Sequence, residues 1–282
     1  MNQKDVYVLS FGAGVQSTTL LSLMIRKDPR LLKAIEGKSK LPSDVIFADP
    51  GAELSSTYDH VQKMRRWSVE SGLGFHRVFT NEMKDSEPTI LNDIYNHGMV
   101  SIPAHLKDES GRKTIGRRMC TRKFKLAPVQ NKARRLMGVE KYKEAHKLAY
   151  VWIGISVDEI QRMKPSRWKW EVKFYPLIEM GWRRSDCINY LNEVGLSEVG
   201  KSSCFFCPFM SNRQWRSIKE NDPLAWAEAV RLDEHIRSTS KIKDYDVYLH
   251  KSCEPLESAY LGEDQLDLVD MFNNECEGMC GL

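Results

Sequence analysis

Short apolar runs alternate with helix-length amphipathic segments through the first half of the chain. Residues 6–10 (Val-Tyr-Val-Leu-Ser) are apolar, and residues 17–27 after them, rich in Leu and Met, have helical character. A second run, Val45-Ile46-Phe47-Ala48, stops at Asp49-Pro50-Gly51, and the pattern from Tyr58 to Val69 predicts a helix. Further strands are predicted at Phe75–Phe79 and, after a long gap, at Ala149–Gly154. Strands this short and this apolar, separated by helices, predict an α/β fold: a mostly parallel sheet covered by helices on both faces. Residues 1–200 would form that domain. Residues 201–282 would form a smaller helical region, with Trp215, Trp226 and Ile236 buried in a helical pair and an acidic tail.

Composition narrows the class. The 282 residues are 41% hydrophobic and 28% charged with a net charge of +4, as expected for a globular protein rather than a disordered or fibrous one. No run approaches the roughly 20 apolar residues that cross a bilayer, so no membrane partner is expected. The opening Met1-Asn2-Gln3-Lys4-Asp5 lacks the pattern of a secretory signal, which predicts a cytoplasmic location. Seven cysteines in such a chain speak for metal or redox chemistry before disulfides.

Charge is unevenly spread. Between Glu109 and Glu140 there is no acidic residue, whereas Arg112, Lys113, Arg117, Arg118, Arg122, Lys123, Lys125, Lys132, Arg134 and Arg135 fall there. Residues 112–135 therefore predict an anionic partner: nucleotide, phosphate or nucleic acid. Beyond Lys251 the chain has no Lys or Arg and is rich in Glu and Asp, either a solvated terminus or a tail that folds back on the basic stretch.

Candidate chemistry begins where the first strand gives way to the first helix, at Ser10-Phe11-Gly12-Ala13-Gly14-Val15-Gln16-Ser17-Thr18. Small residues let backbone approach a ligand, and the N–H groups at a helix start favour an anion. The Gly-Lys-Ser/Thr ending of a nucleoside-triphosphatase P-loop is missing, and a dinucleotide Gly-x-Gly-x-x-Gly fails at Ser17. The turn resembles the PP-loop of ATP pyrophosphatases and phosphoadenylyl-sulfate reductases, Ser-Gly-Gly-x-Asp-Ser, with Gln16 in place of the Asp.

Three later segments extend the resemblance in the family's order, from residue 6 to about 210. Phe47–Glu53, with Asp49 and followed by Tyr58, is similar to the segment that holds adenosine in relatives. Arg118-Met119-Cys120-Thr121-Arg122-Lys123-Phe124-Lys125-Leu126-Ala127-Pro128 is similar to the family's Cys-x-x-Arg-Lys-x-x-Pro segment. Gly154-Ile155-Ser156-Val157-Asp158-Glu159 with Arg162 resembles a strand-to-helix turn facing the nucleotide. The resemblance implies ATP or a related adenine nucleotide, with Mg²⁺ on its phosphates, Ser17 in the turn, and Arg118, Arg122, Lys123 and Arg162 neutralising the departing group.

Cys204-Phe205-Phe206-Cys207-Pro208 has the spacing by which two thiolates reach one metal from a tight turn. Two ligands do not close a tetrahedral zinc or a cubane site, so two more are needed. Iron–sulfur reductases of the family imply Cys120 as the third, and mobile-element relatives imply Cys187 as the fourth. By residue type the four fit [4Fe–4S] or Zn²⁺ equally; the resemblance tilts toward iron–sulfur. Cys276 and Cys280 lie in a closing segment that partly matches the reductases' tail, whose thiolate attacks sulfur, but no Glu-Cys-Gly-x-His is intact.

Two enzyme readings follow, with a non-catalytic nucleotide-binding accessory protein as a third. In one, ATP adenylylates an acceptor, pyrophosphate leaves and a nucleophile displaces AMP, in service of sulfur transfer or nucleic-acid modification. In the other, Cys280 or Cys276 attacks phosphoadenylyl sulfate, sulfite is released, and a thioredoxin-like reductant restores the thiol. Relatives of this shape accompany phages, other mobile elements and CRISPR loci. The interleaved Arg162, Lys164, Arg167, Trp168, Lys169, Trp170 and Lys173 read either as a strand with one solvated face or as a surface that holds phosphates and stacks bases.

Overall fold

The computed structural model describes residues 3–80, 89–97, 102–140, 143–200, 202–240 and 242–262. Along the chain run β1 (Val6–Ser10), α1 (Val15–Ile25), α2 (Pro29–Ile35), β2 (Asp44–Ala48), α3 (Ser55–Glu70), β3 (Gly74–Val78), α4 (Ile90–His97), β4 (His105–Lys107) and β5 (Lys113–Ile115). A π-helical turn, Thr121–Leu126, then leads into α5 (Ala127–Leu136), at whose start Pro128 lacks the N–H a regular helix would use. β6 (Ala149–Ile153), a 3₁₀ segment (Val157–Arg162), β7 (Glu171–Phe174), α6 (Pro176–Glu179) and α7 (Arg184–Glu193) complete the first half of the fold. The remainder holds α8 (Asn212–Asn221), α9 (Pro223–Thr239) and β8 (Asp246–Tyr248).

Five strands form one parallel sheet in the order β3-β2-β1-β6-β7. Its strands read as continuous apolar runs because both faces are covered. Alternation along them sorts the side chains: Leu9, Phe47 and Trp152 enter a core with α1, α3 and α7, while Val8, Ile46 and Val151 enter another with Val129, Ala133 and Met137 of α5 and its exit. The segment 162–173 supplies a strand only at its end, β7, because Pro165 and the turn before Trp170 hold the rest out of the ladder.

A third core gathers Ile90, Ile94, Ile102 and Phe124 with Phe206, Trp215, Leu232 and Val247, so it draws on both sides of residue 200. Trp215 and Ile236 are buried there as expected, and Trp226, half-buried, meets the Trp215 ring edge-on. The C-terminal region is not purely helical, since β8 pairs antiparallel with β4 in a β5-β4-β8 sheet. Buried Asp233 on α9 anchors that edge by accepting the N–H groups of Leu249 and Leu256. No helix among the described residues is long and apolar enough to cross a membrane.

Candidate functional site

β1 lies between β2 and β6, so chain direction away from it reverses between its two neighbours, and this is where open α/β sheets bind ligands. The turn leaving β1 is built for close approach. Phe11 N–H donates to the Ile46 carbonyl at 2.9 Å, tying the turn to β2. Ala13 has φ +61°, a conformation that usually falls to glycine. Gly14 then begins α1 with extended dihedrals and no side chain to cap the helix. The Thr18 N–H bonds back to the Gly14 carbonyl, as does the Ser17 hydroxyl at 3.2 Å. No acidic side chain enters the first turn of α1, leaving its N–H groups and dipole to an anion.

The turn after β6 closes on this one. A Cβ on Gly154 would stand 2.9 Å from the Ser17 nitrogen and 3.1 Å from the Gln16 carbonyl carbon, so only glycine lets the two backbones meet. Gln16, fully buried, donates its amide to Glu159 at 3.1 Å and toward the Ser156 hydroxyl at 3.4 Å. Gln16, which stands where the PP-loop pattern has Asp, thus clamps the two turns together. Gly154→Val is expected to push the first turn of α1 off the sheet and to cost about 1–3 kcal/mol of stability by overpacking. Thermal unfolding of the variant beside the native chain checks the cost.

Ser10, Phe11 and Gly12 line a narrow crevice of about 10 Å³ with Phe47, Ala48 and Lys125, on the side where adenosine was expected. Asp49 has three protein partners. Its fully buried carboxylate accepts from Gly51 N–H at 2.6 Å, Tyr58 hydroxyl at 2.9 Å and Arg77 Nε at 2.6 Å, which fixes the end of β2 from within. Asp158 accepts from the Arg184 N–H at 3.1 Å and so holds the start of α7.

His60 of α3 meets the Thr18 hydroxyl at 2.9 Å. Burial, with Lys63 adding repulsion, pulls its pKa from 6.5 down to about 4. The unfolded chain therefore binds a proton that the folded chain refuses between those values, and stability falls as pH drops from about 6.5 to about 4. Denaturant titrations at stepped pH should show that slope in the native chain and a shallower one in His60→Asn.

The four candidate cations are divided. Arg122 and Arg162 face a cavity of about 250 Å³ beside the Gly154 turn, and Arg162 is ion-paired with Glu159. Arg118 lies over the Phe209 ring at 5.2 Å, and Lys123 pairs with Asp93 of α4. Neither of the last two points into that cavity.

The cysteines divide too. Cys120, Cys204 and Cys207 line one small cavity of about 30 Å³ together with Thr121 and Arg118. Cys187 is buried in the separate core beneath α1, where its carbonyl accepts from Thr19. The structure thus brings three of the four candidate ligands to one cavity and leaves the fourth in another core. Burial, reinforced by Glu53, pushes the Cys204 thiol pKa well up, against the pull of Lys125. No group of three or more Cys, His, Asp or Glu among the described residues is placed to hold a metal ion. As placed, Cys120, Cys187, Cys204 and Cys207 do not close one four-thiolate centre, whether [4Fe–4S] or zinc. Cys276 and Cys280 lie outside the described residues.

Sequence reasoning passed over Lys125. Flanked by Phe124 and Leu126 in a basic run, it reads as surface charge, yet it is buried and ion-paired with buried Glu53 at 3.3 Å. Its signal was the apolar neighbour on each side. Cys253, also unplaced from sequence, is buried against β4. Compared with known proteins, the chain matches no protein-family model and no curated protein.

Proposed function

We propose that this chain is an adenine-nucleotide-binding enzyme of PP-loop type, which cleaves ATP between its α- and β-phosphates and transfers the adenylyl group to an acceptor. The observation that carries the reading is the meeting of the uncapped start of α1 with the Gly154 turn at the point where the sheet reverses direction. An anion seated there receives backbone N–H groups from α1. Arg122 and Arg162, beside the same turn, are placed to stabilise charge on departing pyrophosphate. Mg²⁺ would arrive with the triphosphate and supply charge neutralisation between its oxygens. Gln16 takes no charge to the phosphates; in this reading it holds the two turns in register, and Ser17 tightens the first of them.

Titration of the protein with MgATP tests the reading. Saturable binding that pyrophosphate competes away supports a triphosphate seat on the turn; no binding of ATP at all removes it.

A further inference from the structure

The cavity of about 250 Å³ is more than a margin of the glycine turn. Its floor is apolar, from Leu126, Ile153 and Ile155, and two amides, Gln130 and Asn131, look in from α5. Its rim is basic: Arg122, Lys164, Arg167 and Lys173 line it, and none of them forms an ion pair with a described carboxylate. The carboxylate in its wall, Glu171, is buried and occupied by the Gln130 amide at 3.1 Å and the Ser166 hydroxyl at 2.5 Å. Cations that outnumber the carboxylates around them repel one another and favour an anion. Lys173 registers that crowding, since burial together with Arg167 and Lys164 lowers its pKa against the opposing pull of Glu171.

At the mouth stands Trp168, 51% exposed, a ring that a protein core would ordinarily claim. It is held flat by Trp170, whose ring lies nearly parallel at 6.4 Å, and Arg134 of α5 covers Trp170 at 5.4 Å. An exposed, braced ring beside unpaired cations is the arrangement by which proteins stack a base while holding its phosphate. The size suits one nucleotide unit, near the lower end of small-ligand pockets at roughly 300 Å³.

We infer that this cavity binds a second nucleotide unit, its base stacked on Trp168 and its phosphate among Lys164, Arg167 and Lys173, distinct from the adenine nucleotide on the glycine turn. If the adenylyl-transfer reading holds, on which this role rests, the unit is the acceptor that faces the reaction; the binding itself does not depend on that reading. Free mononucleotide and a strand of nucleic acid present the same chemistry. A strand would run on over α5 toward Lys132 and Arg135.

The test uses the full chain with thymidine 5′-monophosphate and hexathymidylate as probes, reading tryptophan fluorescence with and without saturating MgATP. Quenching that saturates, that weakens at least about tenfold in Trp168→Ala and in Arg167→Glu, and that ATP leaves in place is the expected result. Both positions are exposed, so neither change should disturb folding. Equal affinity for the two probes identifies a free nucleotide as the ligand, and a much tighter hexathymidylate identifies a strand. Absence of saturable quenching, binding that survives both substitutions, or competitive displacement by ATP overturns the inference; the last would make the cavity part of the adenine-nucleotide site. Should ATP itself fail to bind while hexathymidylate binds, the adenylyl-transfer reading falls and this site stands.

Discussion

Gly14→Asp is expected to abolish ATP binding while leaving the protein as stable as the native chain or slightly more so. Gly14 caps α1 with φ −91° and ψ −177°, dihedrals that any residue adopts, so the substitution strains no backbone dihedral. An aspartate there would cap the helix as well as glycine does or a few tenths of a kcal/mol better. The same carboxylate would sit where a phosphate must, and repulsion of even about 3 kcal/mol between like charges in a half-desolvated turn amounts to roughly 100-fold in affinity. Calorimetric titration with MgATP and thermal unfolding of the same sample separate the two effects. Loss of stability together with affinity would mean that the turn is a packing device; unchanged affinity would mean that ATP does not use it.

A comparably large effect is expected from Lys125→Met, on stability instead of binding. Lys125 and Glu53 are both buried and pair at 3.3 Å, and the Ser202 hydroxyl donates to the other Glu53 oxygen at 3.2 Å. Breaking a buried pair from one side leaves a charge in a medium that does not solvate it, at a cost of about 3–5 kcal/mol. Glu53→Gln in the same chain should recover a good part of that, because the uncompensated charge is then gone. Urea unfolding of both single variants and the double variant measures the coupling. The thiols supply a second readout: Lys125 favours the Cys204 thiolate, so its removal should slow alkylation of that cysteine at a fixed pH. A double-variant loss equal to the sum of the two single losses would show that the pair contributes nothing of its own.

Much of the sheet was legible because its signal is local. Runs such as Val45–Ala48 and Ala149–Ile153 are apolar on every residue, and only a strand covered on both faces spends hydrophobic residues so freely. The glycine turn and the Gly154 turn were legible for a related reason, since small residues at strand ends mark close backbone approach. Their meeting was not, because Gly154 and Ser17 are joined by tertiary packing across 137 positions of sequence.

The charged residues were the least legible. Asp49, Asp158 and Lys123 have the residue types of a nucleotide site, and each has a protein partner: Arg77, the Arg184 N–H and Asp93. Nothing local distinguishes a carboxylate that meets a ligand from one that meets an arginine brought in by a neighbouring strand. Cys187 misled in the same way: its helix faces α1, and the direction a helix faces is fixed by what packs on it.

The most direct test is turnover of ATP by the full protein, purified anaerobically, with AMP, ADP, pyrophosphate and phosphate resolved and phosphoadenylyl sulfate run alongside. With water taking the place of the acceptor, the account predicts AMP and pyrophosphate in equal amounts from ATP, lost in Gly14→Asp, and no sulfite from the sulfonucleotide. Sulfite from phosphoadenylyl sulfate with ATP untouched, or ADP and phosphate in place of AMP and pyrophosphate, would contradict it.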